Sequence, residues 1–172
     1  YNSFLERLPQ MTNLYKELGY NFATHVYDVQ AILETNFQTN ALDVEFNTLS
    51  DSPIYYTLDG SEPTTSSNKY DGKFSVKEDA KIKAAAFTVG EKSSKVFSEE
   101  IKMSKSSYKP ITFLTEAYYD YAYNGAPLLV DGLYGGSNYK TGRWIGFQNN
   151  DMVAVIDLLE PTEISEVKFN TN

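Results

Sequence analysis

Apolar positions along this chain change period. Near the N-terminus Phe4, Leu5, Leu8, Met11, Leu14, Tyr15 and Leu18 recur at the three-and-four spacing of one helical face. Ser3 and Glu6 have the spacing of a capping box, and Gly19 suits the left-handed residue after a last turn. Pro9 falls inside the pattern and either kinks the helix or starts a second one at its first turn. The spacing therefore predicts an amphipathic helix over residues 4–18. Its apolar face needs a partner, and the domain that follows is the large candidate.

From about residue 41 the period is two. Leu42, Val44 and Phe46 alternate with Asp43 and Glu45, and residues 80–87 read AKIKAAAF. Further strands are predicted at 73–76 and 96–101, and at 54–57, where Ile54, Tyr55, Tyr56 and Thr57 stop at a polar corner. In that corner Gly60 tolerates a positive φ, and Pro63 forces Glu62 into an extended conformation. Asp59 and Gly60 have hairpin chemistry, but the polar, proline-containing residues 61–68 predict a wider loop. Short strands with polar turns point to an immunoglobulin-like sandwich over residues 37–107. The segment lacks Cys and Trp, which excludes the disulfide core of antibody domains.

Ser104, Lys105, Ser106 and Ser107 read as a linker to a third piece, residues 108–172. Strands are predicted there at 152–158 and 163–170, with Pro161 in the turn between them. The fold class expected is mainly β: an N-terminal helix packed on an immunoglobulin-like sandwich, followed by a second, incomplete β unit.

Bulk chemistry narrows the function classes. Fifteen basic against 23 acidic residues give a net charge of −8 with no basic stripe, so nucleic acid is not an expected partner. The chain has no cysteine, which removes disulfides, thiol nucleophiles and thiolate metal sites. No apolar run reaches membrane-span length. His25 is the single histidine, so neither a Ser-His-Asp site nor a multi-histidine metal site can be built, and a structural imidazole is expected instead. Asp59 and Glu62 lie three apart in a turn, and Glu99 and Glu100 are adjacent on a strand. Neither pair suits a sugar cleft, so turn formation and a solvated edge are the expected roles. Fourteen tyrosines suit strands and half-apolar, sugar-binding surfaces alike.

The words themselves add family information. "IYYTLDGSEPT", residues 54–64, resembles the signature of the β-sandwich that follows the catalytic barrel in many chitobiases and β-N-acetylhexosaminidases. "FLERLPQMTNLYKELGYNFATHVYDV", residues 4–29, is similar to the last barrel helix and exit segment of a family 20 glycoside hydrolase, which the resemblance extends over residues 1–36. No residue matches the Asp-Glu pair or the tryptophan-lined pocket of those enzymes, so no catalytic residue is carried over. In the third piece, Val130-Asp131-Gly132, Arg143-Trp144, "VAVIDL" and "EISEVKF" resemble the first half of a discoidin (factor 5/8 type C) jelly roll, many of which are carbohydrate-binding modules.

These resemblances imply a non-catalytic accessory segment of an exported bacterial β-N-acetylhexosaminidase that retains configuration by substrate assistance. The segment would buttress the upstream barrel and carry a glycan-binding module. The alternative is a stand-alone carbohydrate-binding or adhesion fragment of another glycan-degrading enzyme. No cofactor is expected. The discoidin resemblance implies a structural calcium with Asp131 as carboxylate ligand and Thr141 as hydroxyl ligand. A sugar face would draw on Tyr134, Tyr139, Arg143 and Trp144, although Trp144 alternates with neighbours Ile145 and Phe147 as a core residue would. The chain starts at Tyr1 without methionine, the mark of an excised segment. Half a jelly roll predicts open strand edges at 152–158 or 163–170 and association through them, or disorder after about residue 108.

Overall fold

The alternating segments pair as two antiparallel sheets around one core. The computed structural model describes residues 7, 10, 11, 13–15, 17–20, 25–88 and 91–171, with only the backbone of Glu91. Strands among these are β1 (Gln30–Asn36), β2 (Ala41–Asn47), β3 (Ile54–Thr57), β4 (Asn68–Lys69), β5 (Phe74–Val76), β6 (Ala80–Thr88), β7 (Glu91–Lys92), β8 (Phe97–Ile101), β9 (Ile111–Phe113) and β10 (Ala154–Ile156). One sheet has the order β1-β2-β5. The other runs β4-β3-β6, with β8 along the second edge of β6 and β7 at its end.

Period-two alternation decides which side chains meet. Leu42, Val44 and Phe46 of β2 are buried with Ile82, Ala84 and Ala86 of β6 in a single cluster joined by Ile54, Val76 and Ile101. The alanines of β6 take little room and suit a core crowded with rings. Phe46 has centroid distances of 5.8 Å to Tyr56, 5.3 Å to Tyr70, 5.7 Å to Phe74 and 6.0 Å to Phe97. Each such pair contributes about 0.5–1.5 kcal/mol beyond area burial.

The strands predicted within residues 42–101 are present. Three expectations change. Residues 30–36, assigned by resemblance to the exit of a barrel, form β1 and pair with β2 from Gln30↔Asn47 to Asn36↔Ala41. Residues 163–170 form no strand, since no described strand pairs with them to complete a ladder. At the N-terminus Arg7, Gln10, Met11, Leu14, Tyr15 and Glu17 are helical, but Met11, Leu14 and Leu18 are 44%, 51% and 61% exposed, so the expected burial of this face is not seen among the described residues. The inward faces of the two sheets already cover each other. The remaining residues of that helix, including the Ser3–Glu6 capping pair, lie outside the described set.

The third piece grows directly from β8. Leu133 bridges Ile101, Lys102 N–H donates to the Gly132 carbonyl at 3.3 Å, and Tyr108 N–H donates to the Val130 carbonyl at 2.8 Å. Its described strands are β9 and β10, paired antiparallel from Ala154↔Phe113 to Ile156↔Ile111. Between them lie loops and the 3-10 turns Tyr119–Tyr121, Ala126–Leu129 and Tyr139–Thr141.

Candidate binding surfaces and the seam between them

The corner after β3 is tightly self-bonded. Asp59 Oδ1 accepts from Ser61 N–H at 2.9 Å and Ser61 Oγ at 2.6 Å, and Thr57 Oγ1 donates to the Ser61 carbonyl at 2.7 Å. The Ser61 hydroxyl and amide hold the Asp59 carboxyl below its usual range. Gly60 has φ 82°, and a Cβ there would sit 3.1 Å from Lys81 Cβ, so the corner requires glycine on two counts. Glu62 bonds Lys83 at 2.6 Å and approaches Lys92 at 3.7 Å, and the Lys83 bond lowers its pKa. An open groove of about 320 Å³ beside the corner is lined by Tyr56, Asp59, Ser61, Ser67 and Asn68. Its carboxylate is engaged by Ser61, so the groove offers hydroxyl and amide groups without a free acid–base pair. His25 Nδ1 lies 2.9 Å from Asp28 Oδ2 just before β1, a structural contact at the entry to the sheet.

A buried polar seam joins β8 to the third piece. Alternation along β8 places Phe97, Glu99 and Ile101 on the face that looks inward, opposite Ala84, Ile82 and Ala80 of β6. Glu99 is therefore a carboxylate on an apolar face, and Arg143 Nη1 bonds it at 2.8 Å with both groups partly buried. This corrects the solvated-edge reading for Glu99, which still fits Glu100.

Asp131 is 7% exposed, and its Oδ1 accepts from Leu133 N–H at 2.8 Å. Burial pushes its carboxyl up to about 6, while the Leu133 amide and the Arg143 charge pull the other way. Tyr108 is equally buried, and its hydroxyl lacks a hydrogen-bond partner among the described residues. Burial, then the neighbouring Asp131, drives that phenol to about 12. Gly132, at φ 80°, lets the backbone pass 3.2 Å from Met103 Sδ and 3.5 Å from Tyr108 Oη, measured from the Cβ it lacks.

The four residues expected at a sugar face divide into two pairs. Tyr134 and Tyr139 are 50% and 45% exposed. Arg143 is committed to Glu99, and Trp144 folds back onto the glycine turn beside Tyr134. The indole Nε1 donates to the Gly136 carbonyl at 2.9 Å, and a Cβ on Gly135 would fall 2.4 Å from its ring. Trp144 is thus a partly buried lid on its own loop and not a member of the sandwich core. Tyr139 stacks edge-on with Tyr121 at 6.1 Å, and Tyr121 continues to Tyr118 at 5.9 Å. These partners, Tyr108, Tyr118, Tyr121 and Glu99, are missing from the sequence-derived set. Glu99 had a readable signal, its place in an apolar alternation.

The donor set for calcium is sparse. Thr141 Oγ1 donates to the Asn138 carbonyl at 3.0 Å, closing its own 3-10 turn. Asp131 is engaged by Leu133, and among the described residues no three of His, Cys, Asp and Glu gather at one point. Calcium takes about six to eight oxygens. Asp131 and Thr141 instead bond within the chain, to the Leu133 amide and the Asn138 carbonyl.

Comparison with known families agrees with the core and says nothing of the seam. No curated protein matches the chain. The chitobiase/β-hexosaminidase C-terminal domain model matches residues 34–98, a span that begins inside β1 and ends inside β8. The two-sheet unit at the centre of this chain is thus similar, over residues 34–98, to the chitobiase/β-hexosaminidase C-terminal domain.

Proposed function

We propose that the chain is a non-catalytic accessory segment of an exported β-N-acetylhexosaminidase. Its two-sheet unit buttresses an upstream catalytic barrel that removes terminal β-linked N-acetylhexosamine with the substrate's acetamido group as nucleophile. The observation that carries the reading is the family match across residues 34–98, which coincides with the strands that close the core. The state of the carboxylates supports it. Asp59 is held by Ser61, Glu62 by Lys83, Glu99 by Arg143, and Glu100 lies 3.5 Å from both Lys81 and Lys102. None of these four is left as a poised acid or base across a cleft.

The experiment is turnover of a chromogenic N-acetylglucosaminide. The purified 172 residues should release no chromophore, whereas a longer product of the same gene, extended upstream, should do so. Turnover by the 172 residues, or a folded and inactive extended protein, would overturn the reading.

A second reading is glycan binding by the third piece, favoured by exposed Tyr134 and Tyr139, whose faces could stack on sugar rings. Calorimetric titration with an N-acetylglucosamine oligomer should then give heat that Tyr139→Ala abolishes. A flat titration of the wild type removes this reading and leaves the accessory role intact.

A further inference from the structure

The hydrogen-bond parity of β10 defines an unpaired edge. Leu114 N–H donates to the Val153 carbonyl at 2.8 Å, Asp157 N–H donates to the Pro110 carbonyl at 2.9 Å, and Val155 lies opposite Thr112 between them. Odd-numbered residues therefore face β9. In an antiparallel ladder alternate residues turn their N–H and C=O to opposite edges, so Ala154 and Ile156 direct theirs away from β9. No strand pairs that edge among the described residues. The 3-10 turn Ala126–Leu129 lies near β9. The side chains along this strand do not guard the edge with charge. Met152, Val153 and Val155 are 42%, 43% and 51% exposed, and none carries a charge that would discourage pairing.

We propose that this edge is an interface for a second copy of the chain, with β10 pairing antiparallel to β10 about a two-fold axis at Val155. The reasoning rests on complementarity and is independent of the enzyme to which the chain belongs. With Val155 on the axis, Ala154 and Ile156 of opposite copies exchange both backbone bonds, and the two Val155 side chains form the close, non-hydrogen-bonded pair. Val153 then faces Asp157, and Met152 faces Leu158, so no carboxylate meets another. An axis at Ala154 would set Asp151 against Asp157, a repulsive pair. An axis at Ile156 would draw in residues past Leu159, whose φ of 69° ends the extended run. The Val155 register is the one that satisfies hydrogen-bond parity, charge and strand length together. It makes one sheet of four strands, β9-β10-β10-β9.

Sedimentation equilibrium over about 1–500 µM, a range suited to a small interface, tests the proposal. The wild type should move from the mass of one chain to that of two as concentration rises. Val155→Lys and Val155→Glu should each stay at one chain, because like charges then meet on the axis. An equimolar mixture of the two variants should regain the two-chain mass, since Lys then faces Glu, and unfolded variants would not recover on mixing. A wild type that remains a monomer throughout, as when another segment of the same polypeptide covers β10, overturns the proposal. So does undiminished association of either variant alone, or no recovery in the mixture.

Discussion

Replacing Asp131 by Asn should change how stability depends on pH more than any other single polar substitution in the seam. Burial raises the Asp131 carboxyl from 3.8 to about 6 in the folded chain. The fold therefore holds a proton that the unfolded chain releases between those values, and stability falls as pH rises through that window. The stability is fully present below about pH 4 and lost by about pH 7, and the size of the shift corresponds to about 3 kcal/mol. Asn keeps an oxygen for the Leu133 amide and carries no charge to desolvate. The variant should therefore gain about 3 kcal/mol on the wild type between pH 4 and pH 7. Asp28, Asp43, Asp59, Glu62 and Asp79 have lowered pKa values and act in the opposite direction, losing stability as pH falls. They are present in both proteins and cancel in the difference. Urea unfolding followed by fluorescence of Trp144, the single tryptophan, at several pH values with a chelator present reads that difference. A constant offset from pH 4 to pH 7, or a gain that grows toward low pH, would refute the assignment of Asp131 as a buried acid.

Gly60→Ala should destabilise the central unit by about 1–2 kcal/mol, since φ is 82° and the new Cβ would crowd Lys81, as a lowered urea midpoint would register. Ile82→Ala removes a fully buried side chain and should cost about 2–5 kcal/mol, with the same readout. Gly135→Ala should push the indole off its loop, detected as a red shift and increased quenching of Trp144 fluorescence with little change in the unfolding midpoint.

The central unit was legible because its strands are half-buried and alternate. Leu42-Asp43-Val44-Glu45-Phe46 and residues 80–84 read inward and outward as they sit, while residues 84–87 are buried on both faces. β1 was not legible, because Ala31, Ile32 and Leu33 follow one another without alternation and strand identity came from pairing with β2. Residues 163–170 show the reverse error. Ile164, Val167 and Phe169 have strand character, yet a strand forms only where a neighbour supplies the ladder, and all three side chains are exposed. Of the candidate site, single residues could be named but their grouping could not. The Glu99–Arg143 pair joins residues 44 apart, and the burial of Asp131 and Tyr108 arises where Gly132 lets two segments pass closely. Such proximity is a property of the folded chain and leaves no local pattern.

The accessory role is tested most directly by the heat stability of hydrolysis in the upstream-extended protein. Ile82 lies in the core of the two-sheet unit and touches no substrate. If that unit buttresses the barrel, Ile82→Ala should shorten the half-life of N-acetylglucosaminide hydrolysis at raised temperature and leave KM unchanged. Equal inactivation rates for wild type and variant, with the two-sheet unit shown to be unfolded in the variant, would contradict the account.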